Sequence, residues 1–149
     1  MKSVHEPAGY ALLLLVVLRI GWGLVGSRHA RFASFAASPA AVLRYLRLLS
    51  EGRAPRYLGH NPAGSVMIVL LLATLLLAAV SGWMTETDRW FGVAWVDALH
   101  HITGNLVLPL AAVHVVGVTV SSWLHRENLV RAMFTGRKRA QTAGNVTAG

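Results

Sequence analysis

Leu99 to Trp123 reads LHHITGNLVLPLAAVHVVGVTVSSW, a stretch without a carboxylate, lysine or arginine. It is long enough and apolar enough to cross a bilayer as a helix. Two further runs share that property, Ala8 to Gly26 and Gly64 to Met84. Only 13% of the residues are charged and 54% are hydrophobic, whereas a soluble domain carries about a quarter charged residues. The chain is therefore expected to be an all-α integral membrane protein with three spans. It has no cysteine, which excludes disulfides, iron–sulfur clusters and covalent c-type haem attachment. The formal net charge of +8 comes largely from arginines that flank the apolar runs. The positive-inside rule accounts for that placement, and it argues against a nucleic acid partner.

Histidine is rare inside membranes unless it has a partner or a task. The third run carries His100, His101 and His114. Fourteen residues separate His100 from His114, which on a helix is about 21 Å of rise with only about 40° between the side chains. His101 is offset by about 140° from His114 and points elsewhere. One helix face thus offers imidazoles at two depths, a spacing suited to two stacked haems between facing helices. Alternatively, the same histidines could hydrogen-bond to neighbouring helices.

The first run, about residues 8–26, follows Lys2, but Arg19 interrupts it and no small-x-small cleavage site follows. It reads as a span and not a signal peptide, with Pro7 in the first turn, where proline is tolerated. His5 precedes it in HEPAG, and the pattern of histidine, three residues, glycine recurs at His100 in HHITG. Gly9 and Gly104 would each lie a turn deeper than their histidine, where a missing side chain admits a flat macrocycle or a neighbouring helix. Arg19 lies fourteen residues after His5. An arginine at that depth meets a haem propionate or snorkels to the surface.

Arg28, Arg31, Arg44, Arg47, Arg53 and Arg56 face a single acid, Glu51, in the first connection. The bias predicts a cytoplasmic loop. Ser38 as cap and Pro39 at the first position predict a short amphipathic helix over about 39–50. Its apolar face is expected to carry Val42, Leu46 and Leu49, with Arg44 and Arg47 on the polar side, lying in the interface. Residues 55–64 form a turn-rich re-entry that contains His60. The second span, about 64–84, has no histidine, and Ser81 and Gly82 would let a neighbour approach closely. The following loop holds Glu86, Asp88, Arg89 and Asp97 among Trp83, Trp90, Trp95 and Phe91. Low positive charge and an aromatic belt place it outside. The N-terminus is then periplasmic and the C-terminus cytoplasmic, and His5 and His100 come to the same surface. The third span, about 99–123, contains Pro109, a potential kink. Arg126, Arg131, Arg137, Lys138 and Arg139 mark the inner end, His125 is expected at the interface, and residues 140–149 read as a disordered tail.

VHEPAGYALLLLVVLRIGWGLVGSRHARF, PRYLGHNPAG, LHHITGN with His114 beyond it, and LHRENLVRAMFTGRKR together resemble the bacterial cytochrome b561 and Ni-hydrogenase b-type cytochrome family. The resemblance covers nearly the whole chain. It implies three transmembrane helices equivalent to helices 2–4 of a four-helix haem-binding bundle, within a membrane domain over 1–139 of the bacterial cytoplasmic membrane. It further implies that His5 and His100 ligate a periplasmic-side haem b and that His114 serves a cytoplasmic-side one. The family's first helix, with its own histidine, is not in this sequence. The ligand opposite His114 would come from a missing N-terminal helix or a partner chain, or the form holds one haem. Implied partners are quinone or quinol, a membrane dehydrogenase and a cytochrome c-type redox protein.

Bis-histidine haem has no open coordination position, which suits electron relay and not oxygen chemistry. No catalytic group for a chemical conversion is visible. One rival reading is a membrane anchor or assembly subunit that has lost haem binding. Another is a small transporter, against which stands the absence of broken-helix repeats and of acids within the spans.

Overall fold

The structure is a computed structural model that describes residues 2–27, 30–34, 37–55, 57 and 61–124. Expectations that concern Arg28, Arg56, His60 and residues 125–149 lie outside the described residues. Among the described residues four α-helices follow one another: α1 Lys2–Val25, α2 Pro39–Ser50, α3 Pro62–Thr85 and α4 Ala94–Leu124, with a short 3₁₀ turn at Phe32–Ser34 before α2. Of these, α1, α3 and α4 are long and apolar enough to cross a membrane.

Each long helix starts earlier than its apolar run. Apolarity marks the stretch that faces hydrocarbon, whereas backbone hydrogen bonding continues into the polar flanks. The 24 residues of α1 reach about 36 Å, more than the roughly 30 Å of hydrocarbon. His5 therefore lies within α1 and not before it, and Pro7 lies inside the helix, beyond its first turn. In α3 the start is set by Asn61, whose side chain accepts from the Gly64 N–H at 2.7 Å while its carbonyl accepts from Ser65 at 2.9 Å. Pro62 occupies the first helical position, where its missing N–H costs nothing. Before α4, Gly92 takes a left-handed φ of 71°, a conformation open to glycine. The Val93 carbonyl then accepts from Val96 and Asp97. Asp97 in the first turn of α4 complements the helix dipole. His100 and His101 consequently sit inside α4, not at its end. Pro109 lies inside α4, which is helical on both sides of it.

The chain forms two compact units. The first comprises Met1–Gly26 and Val69–Ala111, which is α1 with the later part of α3 and the earlier part of α4. Its buried residues include Val16, Ala78, Ser81, Val96 and Thr103. Large apolar side chains such as Leu14, Leu15 and Leu108 are exposed. This inverts a water-soluble core: small side chains make the helix contacts and the bulky ones face outward, as in helices packed within lipid. The buried hydroxyls are satisfied within their own helices, Ser81 on the Leu77 carbonyl at 2.6 Å and Thr103 on Leu99 at 2.7 Å.

The second unit comprises Ser27–Ile68 and Ala112–Gly149. Here α2 begins where expected, with the Ser38 hydroxyl accepting from the Ala41 N–H at 3.2 Å and Pro39 at the first position. Its protected stripe differs from the expectation. Tyr45 is buried, with Val42, Leu48 and Leu49 half-buried beside it, while Leu46 is 45% exposed. The stripe is centred on Tyr45, which reaches across to the Ser121 hydroxyl of α4; Leu46 lies a quarter-turn past it.

Candidate functional site

The first unit brings His5 of α1 and His100 of α4 together edge-on, with ring centroids 6.1 Å apart and planes inclined at 74°. His5 is exposed and His100 half-buried. The Nδ1 of His100 lies 2.9 Å from the Ala78 carbonyl oxygen of α3 and 3.5 Å from the Ser81 hydroxyl. A carbonyl can only accept, so Nδ1 carries the proton and donates it. The Nε2 lone pair is then available as a metal ligand, the arrangement common among metal-bound histidines. The ring rests against the α3 backbone at Gly82: a Cβ there would stand 2.8 Å from Cε1 and 3.1 Å from Nδ1.

This geometry can be compared with what one iron needs. An imidazole nitrogen binds a first-row metal at about 2 Å and the ring centre lies about 1.1 Å beyond it, so two rings on opposite sides of one ion have centroids about 6 Å apart. The His5–His100 pair fits. Among the described residues, no group of three or more histidines, cysteines or carboxylates comes together to hold a metal ion. An ion held by only two imidazoles has to bring its other donors with it, as haem iron does.

The other expected residues are placed as follows. A Cβ added at Gly9 or at Gly104 would meet nothing within 4 Å. Close approach of a neighbouring helix is thus not their role among the described residues, and the space beside them is open. His101 lies 6.2 Å from His100, tilted by 57°, and is exposed. Arg19 is half-buried in α1, with its Nη1 shielded from solvent. His114 is half-buried on α4 and belongs to the second unit. An aromatic rim follows α3: Trp90 and Trp95 meet edge to face at 5.4 Å, and the Arg89 guanidinium lies 5.2 Å over the Trp90 ring.

Sequence reasoning missed two features. It saw Gly82 only as a packing residue and did not connect it with His100. It also passed over Tyr45, which packs edge to face on Tyr57 at 5.8 Å and shares a hydrogen bond with Ser121. Burial pushes the Tyr45 phenol above its ordinary pKa, against the lowering effect of the Ser121 bond. With Ser38, Arg44, Leu48 and Tyr57, Tyr45 lines a cavity of about 340 Å³. The signal was available in the spacing: Val42, Tyr45 and Leu49 recur at three and four residues, the period of a helix face.

A family model described as prokaryotic cytochrome b561 matches residues 1–136. Three proteins described as probable Ni/Fe-hydrogenase B-type cytochrome subunits are similar to the chain. That of Rhizobium leguminosarum bv. viciae is 23% identical over 93% of this chain and 68% of its own length. That of Azotobacter vinelandii is 26% identical, over 91% and 67%. That of Cupriavidus necator is 23% identical, over 91% and 66%. The chain spans about two thirds of the length of these relatives. No solved structure matches it.

Proposed function

Because this chain belongs to the prokaryotic cytochrome b561 family, we propose that it is a membrane b-type cytochrome that relays electrons through a haem held between His5 and His100. The observation that carries this reading is the 6.1 Å opposition of the two imidazoles, the separation at which both can bind one iron. When bound, the haem supplies a reversible one-electron couple. The chain's residues do the rest. His5 and the Nε2 of His100 would hold the haem iron, and ligation by both would leave no position for oxygen or another reactant. Gly9 and Gly104 leave room for the macrocycle at the open positions beside them. The exposed apolar side chains of α1, α3 and α4 meet lipid and keep water from the site, which favours electron transfer without proton chemistry.

The membrane domain extends over residues 1–139, with the N-terminus periplasmic and the C-terminus cytoplasmic in a bacterial inner membrane. The arginine-rich connection containing α2 supports that orientation, and α2 lies in the cytoplasmic interface. We propose His114 as a ligand of a second, cytoplasmic-side haem and Arg19 as the partner of a haem propionate. The names of the relatives support a membrane dehydrogenase, such as a hydrogenase, as one redox partner; quinone or quinol and a c-type cytochrome are the proposed further partners.

The test is the haem-to-chain ratio, by pyridine haemochrome on protein purified from membranes with haem supply ensured. A ratio of one with a low-spin spectrum is expected for the His5–His100 site alone, and two if a partner completes the His114 site. A ratio near zero overturns the reading.

A further inference from the structure

The α3 helix contributes no histidine, yet its backbone touches the His100 ring at two points. The Ala78 carbonyl takes the Nδ1 proton at 2.9 Å. Gly82, one turn on, lies so close that a Cβ would stand 2.8 Å from Cε1. These two contacts belong together. In an α-helix the Ala78 carbonyl already accepts from the Gly82 N–H. A carbonyl oxygen has a second lone pair, and the imidazole can reach it only along the groove left by the absent side chain at Gly82. Ser81 reaches the same edge: it is 1% exposed, and its hydroxyl lies 2.6 Å from the Leu77 carbonyl and 3.2 Å from the Ala78 carbonyl. The shorter contact to Leu77 leaves the imidazole, at 2.9 Å, the nearer side-chain partner of Ala78.

We propose that the Ala78–Gly82 edge of α3 is a positioning and tuning device for the redox centre: Gly82 admits the His100 ring to the Ala78 carbonyl, which fixes its tautomer and lowers the potential of the iron it binds. This rests on His5 and His100 being the ligand pair. Donation from Nδ1–H to a carbonyl makes Nε2 a stronger donor. A stronger axial donor stabilises the ferric state over the ferrous one. His5 is exposed, whereas His100 is half-buried against α3, so the tuning acts from the His100 side. Loss of such an outer partner changes metal binding by about 10–100-fold. Taking tenfold as the differential between ferric and ferrous forms, the midpoint potential should move by about 59 mV, the one-electron equivalent of a tenfold change.

The experiment uses the full chain purified from membranes with its haem bound. Gly82→Ala is compared with Gly21→Ala, a helical glycine beside which a Cβ meets nothing within 4 Å. The redox titration of Gly82→Ala should shift upward by about 59 mV, with altered g values in the low-spin ferric electron paramagnetic resonance spectrum, while Gly21→Ala matches the parent. An unchanged midpoint and unchanged g values in Gly82→Ala overturn the proposal. Should Gly82→Ala fail to accumulate, paramagnetic proton resonance on the parent protein decides. One axial-ligand Nδ1 proton should exchange slowly with deuterium and the other quickly; two fast protons overturn the proposal. A parent protein without bis-histidine haem defeats both this inference and the functional reading. A parent haem that ignores Gly82 defeats this inference alone.

Discussion

Replacing His5 and His100 in turn separates ligation from packing, because the two side chains are equivalent for iron and unequal for the fold. His100 donates to Ala78 at 2.9 Å and rests on Gly82. Removing it forfeits about 1 kcal/mol for the hydrogen bond and about 1 kcal/mol for the half-buried ring. The Ala78 carbonyl keeps its helical partner, so no orphaned acceptor adds to the cost. His5 is exposed, and truncating it should change the haem-free stability by no more than about 0.5 kcal/mol. On the proposed ligation, both variants nevertheless remove one of the two protein nitrogens that would hold the iron. Each should lose the same low-spin haem spectrum, with a loss of affinity beyond the roughly 10–100-fold typical of an outer partner. The assays are visible and electron paramagnetic resonance spectra of His5→Ala and His100→Ala, and thermal unfolding of each after haem extraction. A low-spin haem retained in either variant refutes shared ligation. Equal destabilisation of the two haem-free variants refutes the role given to the α3 contact.

Tyr45 gives a pH-dependent test. Its phenol is held above its ordinary pKa by burial, so its neutral form is favoured in the folded state; this stability is fully present below about pH 10, the unfolded value, and is lost as the pH rises through the folded value. Thermal unfolding should therefore show the parent protein weakening above about pH 10, and Tyr45→Phe should weaken less over that range while costing about 1 kcal/mol at neutral pH through the lost Ser121 bond. An identical alkaline profile in the two proteins would place the titration elsewhere. Asn61→Ala should cost about 1 kcal/mol by removing the cap of α3, and Asn61→Ser should recover most of it; equal melting of Asn61→Ala and the parent would show that the cap is not used.

Some of the architecture is visible along one dimension. The three spans follow from uninterrupted apolar length, and α2 from the Ser38–Pro39 start, because these features depend on neighbours in the chain. The helix ends were less visible. Asn61–Pro62 and Gly92–Asp97 begin α3 and α4 ahead of the apolar runs through capping and turn geometry, to which hydropathy is blind. The stripe of α2 was misplaced by one position because Leu46 is more apolar than Tyr45 by type, whereas Tyr45 has both a ring partner in Tyr57 and a hydroxyl partner in Ser121.

The sequence alone determined that this protein consists of membrane-length helices with histidines at repeated positions, since composition, charge bias and spacing are properties of the chain itself. Only the tertiary structure decided that His5 and His100 oppose each other at 6.1 Å and that Ala78 and Gly82 hold one of them. A side chain's hydrogen-bond partner and the room for its ring are set by the helix packed beside it, and nothing in α4 specifies that the residue facing His100 on α3 is the one without a side chain.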